Sequence, residues 1–210
     1  MKTRTTITIA RQMGSGGSYV GQLIAQRLRL RYVDQEVLHL AAQALGVEEI
    51  AVEASSERLA SIWEKIFGGL TFLTPESRYI PPPVRTFSDK ELFQKKVEAL
   101  KLIAARENAV IVGYGGALVL PCHPRMVNLY FHAPLKWRIK RVMEIYNLTD
   151  AEGARRMIED SDEMRSRYFN QMTGRDWACA DNYHLCIDTS ILPLEDLSER
   201  LILFIQNKLG

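Results

Sequence analysis

Cysteine is scarce in this 210-residue chain, and Cys122, Cys179 and Cys186 are odd in number with no C-x-x-C among them. That excludes a disulfide framework and a paired-thiol motif; three reduced thiols packed in the core are expected instead. Long apolar runs are missing too. No window approaches the ~18 apolar residues of a membrane span, and MKTRTTITIARQ lacks the apolar stretch of a signal peptide. Charge of one sign is also lacking. The 27 Lys and Arg against 25 Asp and Glu leave a formal net charge of +2, too little for a nucleic-acid or membrane surface, so a basic site has to come from local clustering. The 13 glycines and 8 prolines supply neither a collagen period nor a disordered composition. His39, His123, His132 and His184 are scattered without H-E-x-x-H or cysteine partners, so packing is expected of them and no metal. Nothing reads as a nucleophile triad, and the basic helices lack the interleaved aromatics of a nucleic-acid platform.

What remains is 47% hydrophobic. It is enough for one sizeable core burying roughly 70% of the chain's surface, and the expectation is a single cytoplasmic domain over 1–210. Ile7 and Ile9 read as a strand that breaks into Gly14, Gly16 and Gly17. Val20, Leu23, Ile24 and Leu28 then have helical spacing, with Ser18 placed as a cap. Tyr32-Val33-Asp34 reads as a second strand ending in a carboxylate, which completes a βαβ opening. Helical spacing recurs over 35–45 and 48–67. The stretch 67–87, with Pro81-Pro82-Pro83, reads as a long loop.

Ser88 opens a helix to Arg106. Ala109–Val112 and Met126–Phe131 are continuous apolar runs of the kind buried on both faces of a parallel sheet. Helix follows from Pro134 to Tyr146. Thr149 with Glu152 reads as a capping box for a charged helix to Met172. Tyr183–Asp188 is a last strand and Leu194–Leu209 a closing amphipathic helix. This alternation predicts an open, mostly parallel α/β sheet with helices on both faces.

Arg11-Gln12-Met13-Gly14-Ser15-Gly16-Gly17-Ser18 lies where the first strand hands over to the first helix. Outward backbone N–H groups, glycines and the positive helix end suit a phosphate there; a tight turn needing positive φ and nothing more is the plainer alternative. The Walker pattern fails, because Gly17 stands at its lysine. The dinucleotide pattern fails as well, because Tyr19 stands at its third glycine and no Y-x-x-x-K accompanies it.

ITIARQMGSGGSYVGQLIAQRL, then YVD, AVIVGYGG, the arginine-bearing helices and YHLCIDTS closely resemble the cytidylate kinase-like family, a divergent branch of P-loop nucleoside monophosphate kinases. The resemblance is strongest over 6–34 and 109–190. It implies a three-layer α/β/α P-loop kinase fold with a parallel sheet, a helical lid over about 149–176 and an acceptor-binding insert over about 67–87. It further implies transfer of the γ-phosphoryl of ATP, with Mg²⁺, to a nucleotide such as CMP or dCMP, with homo-oligomerisation left open. The branch carries G-S-G-G in place of G-x-G-K. Where this chain has Ser18 and Tyr114, its members often carry a basic residue and an arginine.

On that reading Arg11, Gly14, Ser15, Gly16, Gly17, Ser18 and Tyr19 would hold the ATP phosphates, and Asp188 and Thr189 would lie near the adenine. Asp188-Thr189-Ser190 could instead cap the final helix. Arg138, Arg141, Arg165 and Arg167 would serve the transferring group, with Asp162, Arg165 and Tyr168 forming the lid's D-x-x-R-x-x-Y. The plainer alternatives are an intrahelical Asp162–Arg165 pair and Arg141 lying on the indole of Trp137. Asp34, Arg78, Tyr79, Arg85, Tyr114 and Asp162 are candidates for the acceptor, Ser18 and Asp34 for the metal. Asp34 is expected beside the glycine loop, although it would also serve as a helix cap. A regulatory pseudokinase that binds a nucleotide without turning it over is the competing function.

Overall fold

The computed structural model describes residues 4–34 and 89–210. The helices expected over 35–45 and 48–67, and the loop over 67–87 with Arg78, Tyr79 and Arg85, lie outside the described residues. Among the described residues five strands form one parallel sheet: Thr6–Arg11 (β1), Arg31–Val33 (β2), Ala109–Val112 (β3), Met126–His132 (β4) and Leu185–Asp188 (β5), in the order β2-β3-β1-β4-β5. The described α-helices are Gly17–Leu28 (α1), Asp89–Arg106 (α2), Gly116–Val119 (α3), Leu135–Tyr146 (α4), Ala151–Thr173 (α5) and Leu194–Leu209 (α6).

Strand alternation divides the core into two layers. Ile7, Ile9, Val127, Leu129 and Phe131 point to one face, where Val20 and Ile24 of α1 and Leu197, Leu201 and Ile205 of α6 cover them. On the other face Ala109, Ile111 and Met126 meet Ala99, Leu100 and Ile103 of α2. There β1 carries Thr6 and Thr8, both buried, and the Thr8 hydroxyl donates to Asn128 Oδ1 on β4 at 2.7 Å. That bond removes the cost of burying either group alone. Because β1 pairs with β3 on one side and β4 on the other, Ile9 lying opposite both Val112 and Leu129, its C-terminal end is fixed from both flanks. Strand order reverses around β1, the kind of place where open parallel sheets bind ligands.

Local details depart from the sequence expectations. Helix α5 is capped by Asp150 and not by Thr149: the Asp150 carboxylate accepts from Glu152 N at 3.0 Å, and its carbonyl accepts from Ala154 N at 3.0 Å. Thr149 is one residue too early to reach those donors. The last strand starts at Leu185, because Tyr183 N closes a 3₁₀ turn onto Ala180 O. All three cysteines are exposed, against the core packing expected. Cys186 lies on β5, an edge strand, and Cys122 and Cys179 lie in connections. No helix among the described residues is long and apolar enough to cross a membrane.

The cap assignment is testable by urea unfolding. Asp150→Ala is expected to cost about 1 kcal/mol, and Thr149→Ala to stay within about 0.5 kcal/mol of the parent.

Candidate functional site

At the C-terminal end of β1 the chain turns sharply. Gln12 N still pairs with Phe131 O at 3.0 Å, and Gln12 O then accepts from both Ser15 N (3.2 Å) and Ser15 Oγ (2.8 Å). Ser15, fully buried, spends its hydroxyl on closing this loop. Gly14 and Gly16 take φ of 76° and 78°, left-handed values that favour glycine. Gly16, not Ser18, is the N-cap of α1, and no side chain caps the helix. The helix therefore presents its first-turn N–H groups and its positive end to the space above the loop, as an anion requires.

Gly17 answers to volume. A Cβ there would lie 2.8 Å from Arg11 Cβ and 3.0 Å from Phe131 Cβ, so the position that holds the Walker lysine elsewhere has no room for a side chain. Arg11 fills that side of the loop. Its Nε donates to Ser18 Oγ at 3.3 Å, and its Nη1 lies 2.6 Å from where a Gly113 Cβ would be. The guanidinium thus lies between the start of α1 and the turn that follows β3.

Asp162 of α5 clamps the loop from above. Its Oδ1 accepts from Met13 N at 2.9 Å and from Arg165 at 3.0 Å, and its Oδ2 accepts from Arg138 at 2.6 Å. Arg138, with only 9% of its side chain exposed, also donates to Ala133 O at 3.0 Å and Met13 O at 3.3 Å. Arg165 reaches back to Arg11 O at 3.5 Å. The intrahelical Asp162–Arg165 pair is therefore present and is one part of a network spanning three elements. Arg141 runs beside Gly16 and lies over the Trp137 ring at 5.8 Å.

Arg167 is not brought to the loop. Two residues beyond Arg165, it falls on the opposite side of α5, where it is 77% exposed and pairs with Glu163. The strand that precedes Asp34 is not the neighbour of β1 that was expected, since β3 lies between β2 and β1. Among the described residues no group of three or more His, Cys, Asp or Glu side chains converges on a metal-sized site.

Gly113, Tyr114 and Gly115 follow β3 with φ of 93°, 55° and 64°. For Tyr114 this backbone costs on the order of 1–2 kcal/mol. At the end of β5, Asp188 Oδ1 accepts from Ser190 Oγ at 2.7 Å and Ser190 N at 2.9 Å, which holds its carboxyl below the usual carboxylate range. Thr189 is tied through N and Oγ1 to His132 O. Neither caps α6, whose N-cap is Pro193. Tyr19 donates to Glu195 at 2.8 Å and keeps that carboxyl below its ordinary value. Burial pushes the Tyr130 phenol beneath α5 up to about 12, so it stays protonated at neutral pH. A groove of about 1010 Å³ runs along α4 past Trp137, Lys140, Met143, Leu148 and Ser190.

Two features escaped sequence reasoning: the Arg138–Asp162 contact, made between residues on different helices, and the side chain of Gln12, which accepts from Ala133 N at 3.4 Å. Neither follows a local spacing rule.

Two substitutions test this geometry. Gly17→Lys, which restores the usual lysine, is expected to lower the thermal midpoint and to gain no ATP affinity in a titration, because its stem meets Arg11 and Phe131. Asp162→Ala leaves Arg138 in a buried site without its carboxylate and is expected to cost about 3 kcal/mol in urea unfolding; a loss below about 1 kcal/mol would contradict the clamp.

Comparison with known proteins adds to this geometry. A model of the cytidylate kinase-like family matches residues 6–191. No curated protein matches the chain. An uncharacterized protein from Eubacterium ventriosum ATCC 27560 is similar in fold, with a TM-score of 0.67 at 21% identity over 97% of this chain and 99% of that one. A shikimate kinase from Acinetobacter baumannii aligns with a TM-score of 0.47 at 17% identity over 100% of this chain and 97% of its own. A gluconokinase from Sinorhizobium meliloti 1021 aligns with a TM-score of 0.47 at 12% identity over 99% and 94%. The family match spans the glycine loop, the arginine-bearing helices and the loop after β5, and on that match the chain belongs to the cytidylate kinase-like family.

Proposed function

We propose that the chain transfers the γ-phosphoryl group of ATP to a nucleoside monophosphate, with CMP or dCMP as the acceptor. The observation that carries this reading is the uncapped start of α1 with Arg11 beside it, in the volume that a Walker lysine would need. Phosphoryl transfer asks a protein chiefly to position two phosphate groups and to neutralise the charge spread over the transferred oxygens. A planar guanidinium can do both, through paired N–H donors and a permanent charge.

Roles follow from position. The backbone of Gly14, Ser15, Gly16 and Gly17, with Ser18 and Tyr19 in the first turn of α1, cradles the triphosphate. Arg11 and Arg165 approach from the β3 side and from α5, and Arg141 from α4 beside Gly16. Arg138 is a positioning residue, because its N–H groups are directed to Ala133 O, Met13 O and Asp162. Asp188 and Thr189 shape the loop that meets the base, and the groove past Trp137 and Ser190 offers that base a flat aromatic side. Asp34, after β2, and Tyr114, in the turn after β3, are assigned to the acceptor. Arg167 takes no part, since it pairs on the far face of α5.

ATP bound with Mg²⁺ supplies the phosphoryl group: an acceptor phosphate oxygen forms the new P–O bond, and the β–γ bridging oxygen leaves with ADP. The donor set fits such a cation, because Mg²⁺ on phosphates needs only one or two protein oxygens. Ser18 Oγ has a second lone pair beyond the one that faces Arg11. With β3 between β1 and the strand that precedes Asp34, direct ligation by both groups is not part of the proposal.

The empty lysine position favours one other reading, a regulatory nucleotide binder with no turnover. Coupled ADP release with a panel of nucleoside monophosphates separates the two. Turnover highest with CMP or dCMP supports the kinase; ATP binding with no turnover on any acceptor supports the binder. In the active protein, Arg11→Ala is expected to lower kcat by about 10²-fold or more with a smaller change in ATP affinity. An unchanged kcat would remove Arg11 from the chemistry.

A further inference from the structure

We propose that Lys96 is a further substrate-binding residue, whose ammonium holds the phosphate of the acceptor nucleotide at the turn after β3. The proposal rests on the kinase reading above and assigns one residue of its acceptor site. Lys96 Nζ lies 5.9 Å from the centroid of the Tyr114 ring, within the range of a cation–π contact. Tyr114 is the residue held at φ 55° between two left-handed glycines. An aromatic in that conformation is unfavourable on its own, and such outliers persist where the surroundings hold them for a purpose. The next glycine back, Gly113, abuts the Arg11 guanidinium. Arg11 and Lys96 therefore approach one short turn from its two sides.

Position separates this charge from the triphosphate grip. Lys96 comes from α2, which packs on the face of the sheet opposite α1 and α6. The turn it approaches ends β3, the direct neighbour of β1, with Val112 opposite Ile9. An anion there lies across Arg11 from the glycine loop, where an acceptor phosphate would meet the γ-phosphoryl. The neighbouring side chains suit a nucleotide. Phe93, one helical turn before Lys96, meets Tyr168 edge-on at 5.9 Å; Tyr168 meets Phe169 at 5.4 Å; and Phe169 packs against Gly115. Aromatic side chains of α2 and α5 thus lie beside the turn that the lysine and the arginine approach, a combination that suits a flat base joined to a phosphate better than a sugar alone.

The test is calorimetric titration of CMP and of cytidine into the full chain saturated with a non-hydrolysable ATP analogue. The parent is compared with Lys96→Met, Lys96→Arg and Lys101→Met, the last an exposed control on the same helix. Circular dichroism and thermal melting confirm that each variant is folded. Lys96→Met is expected to weaken CMP about tenfold or more, to leave cytidine and the ATP analogue unchanged, and to raise KM for CMP with little change in kcat. Lys96→Arg should restore most of the affinity, and Lys101→Met should match the parent. CMP affinity unaltered in Lys96→Met, in a chain that still phosphorylates CMP, would overturn the assignment and leave the kinase reading standing. An equal loss for cytidine and CMP would also overturn it, because the effect would then be packing or base contact and not charge. A parent chain that binds the ATP analogue but neither binds nor phosphorylates CMP would instead remove the CMP-kinase reading, and this assignment with it.

Discussion

The carboxylate of Asp162 is the contact on which the site depends. It receives two guanidinium groups and one backbone N–H, from α4, α5 and the glycine loop. Each of those donors would be costly to leave without a partner in so enclosed a place. Removing the carboxylate would also loosen the path of Met13, and with it the orientation of the amides that follow. The packing of α5 and the shape of the loop are therefore coupled: the helix that bears Arg165 is tied at Asp162 to the backbone it serves. Any closing movement of this region has to pivot about that point or break it.

Much of the architecture was legible because burial imposes period. β3 is apolar throughout and β4 is apolar up to Phe131 but for Asn128, without the alternation of a one-sided strand, as strands covered on both faces are, and the expected two-sided parallel sheet is what formed. The glycine loop was legible for a different reason: glycine at positions 14, 16 and 17 is informative wherever a strand meets a helix. Sequence could not show that Gly16 and Gly17 are required for different reasons, one a left-handed cap and the other a space filled by Arg11 and Phe131. Nor could it show that β3 would separate β2 from β1, because strand order is a property of long-range pairing.

Misjudged details share a cause. Thr149 and Ser18 both looked like caps by residue type, yet capping is decided by which residue leaves the helical conformation, and there Asp150 and Gly16 prevail. Arg165 and Arg167 look equivalent in a charged run; an α-helix turns 100° per residue, which separates them onto opposite sides. The cysteines were assigned to the core on average behaviour, and the edge position of β5 and two connections placed them outside. Arg138 was the least readable, because its importance lies in carbonyls and a carboxylate far away in sequence.

The central place of β1 has a consequence for how the molecule loses its site. Both roots of the glycine loop grow out of the most enclosed part of the sheet: β1 is hydrogen-bonded along both edges, and α1 is packed under α6. The hydrogen-bonded amides of β1 and of the body of α1 open only with the whole fold and not in local fluctuations. The strand and the helix body that carry the phosphate cradle are therefore expected to hold it in place for as long as the core survives, even though the unpaired first-turn amides of the cradle itself exchange freely.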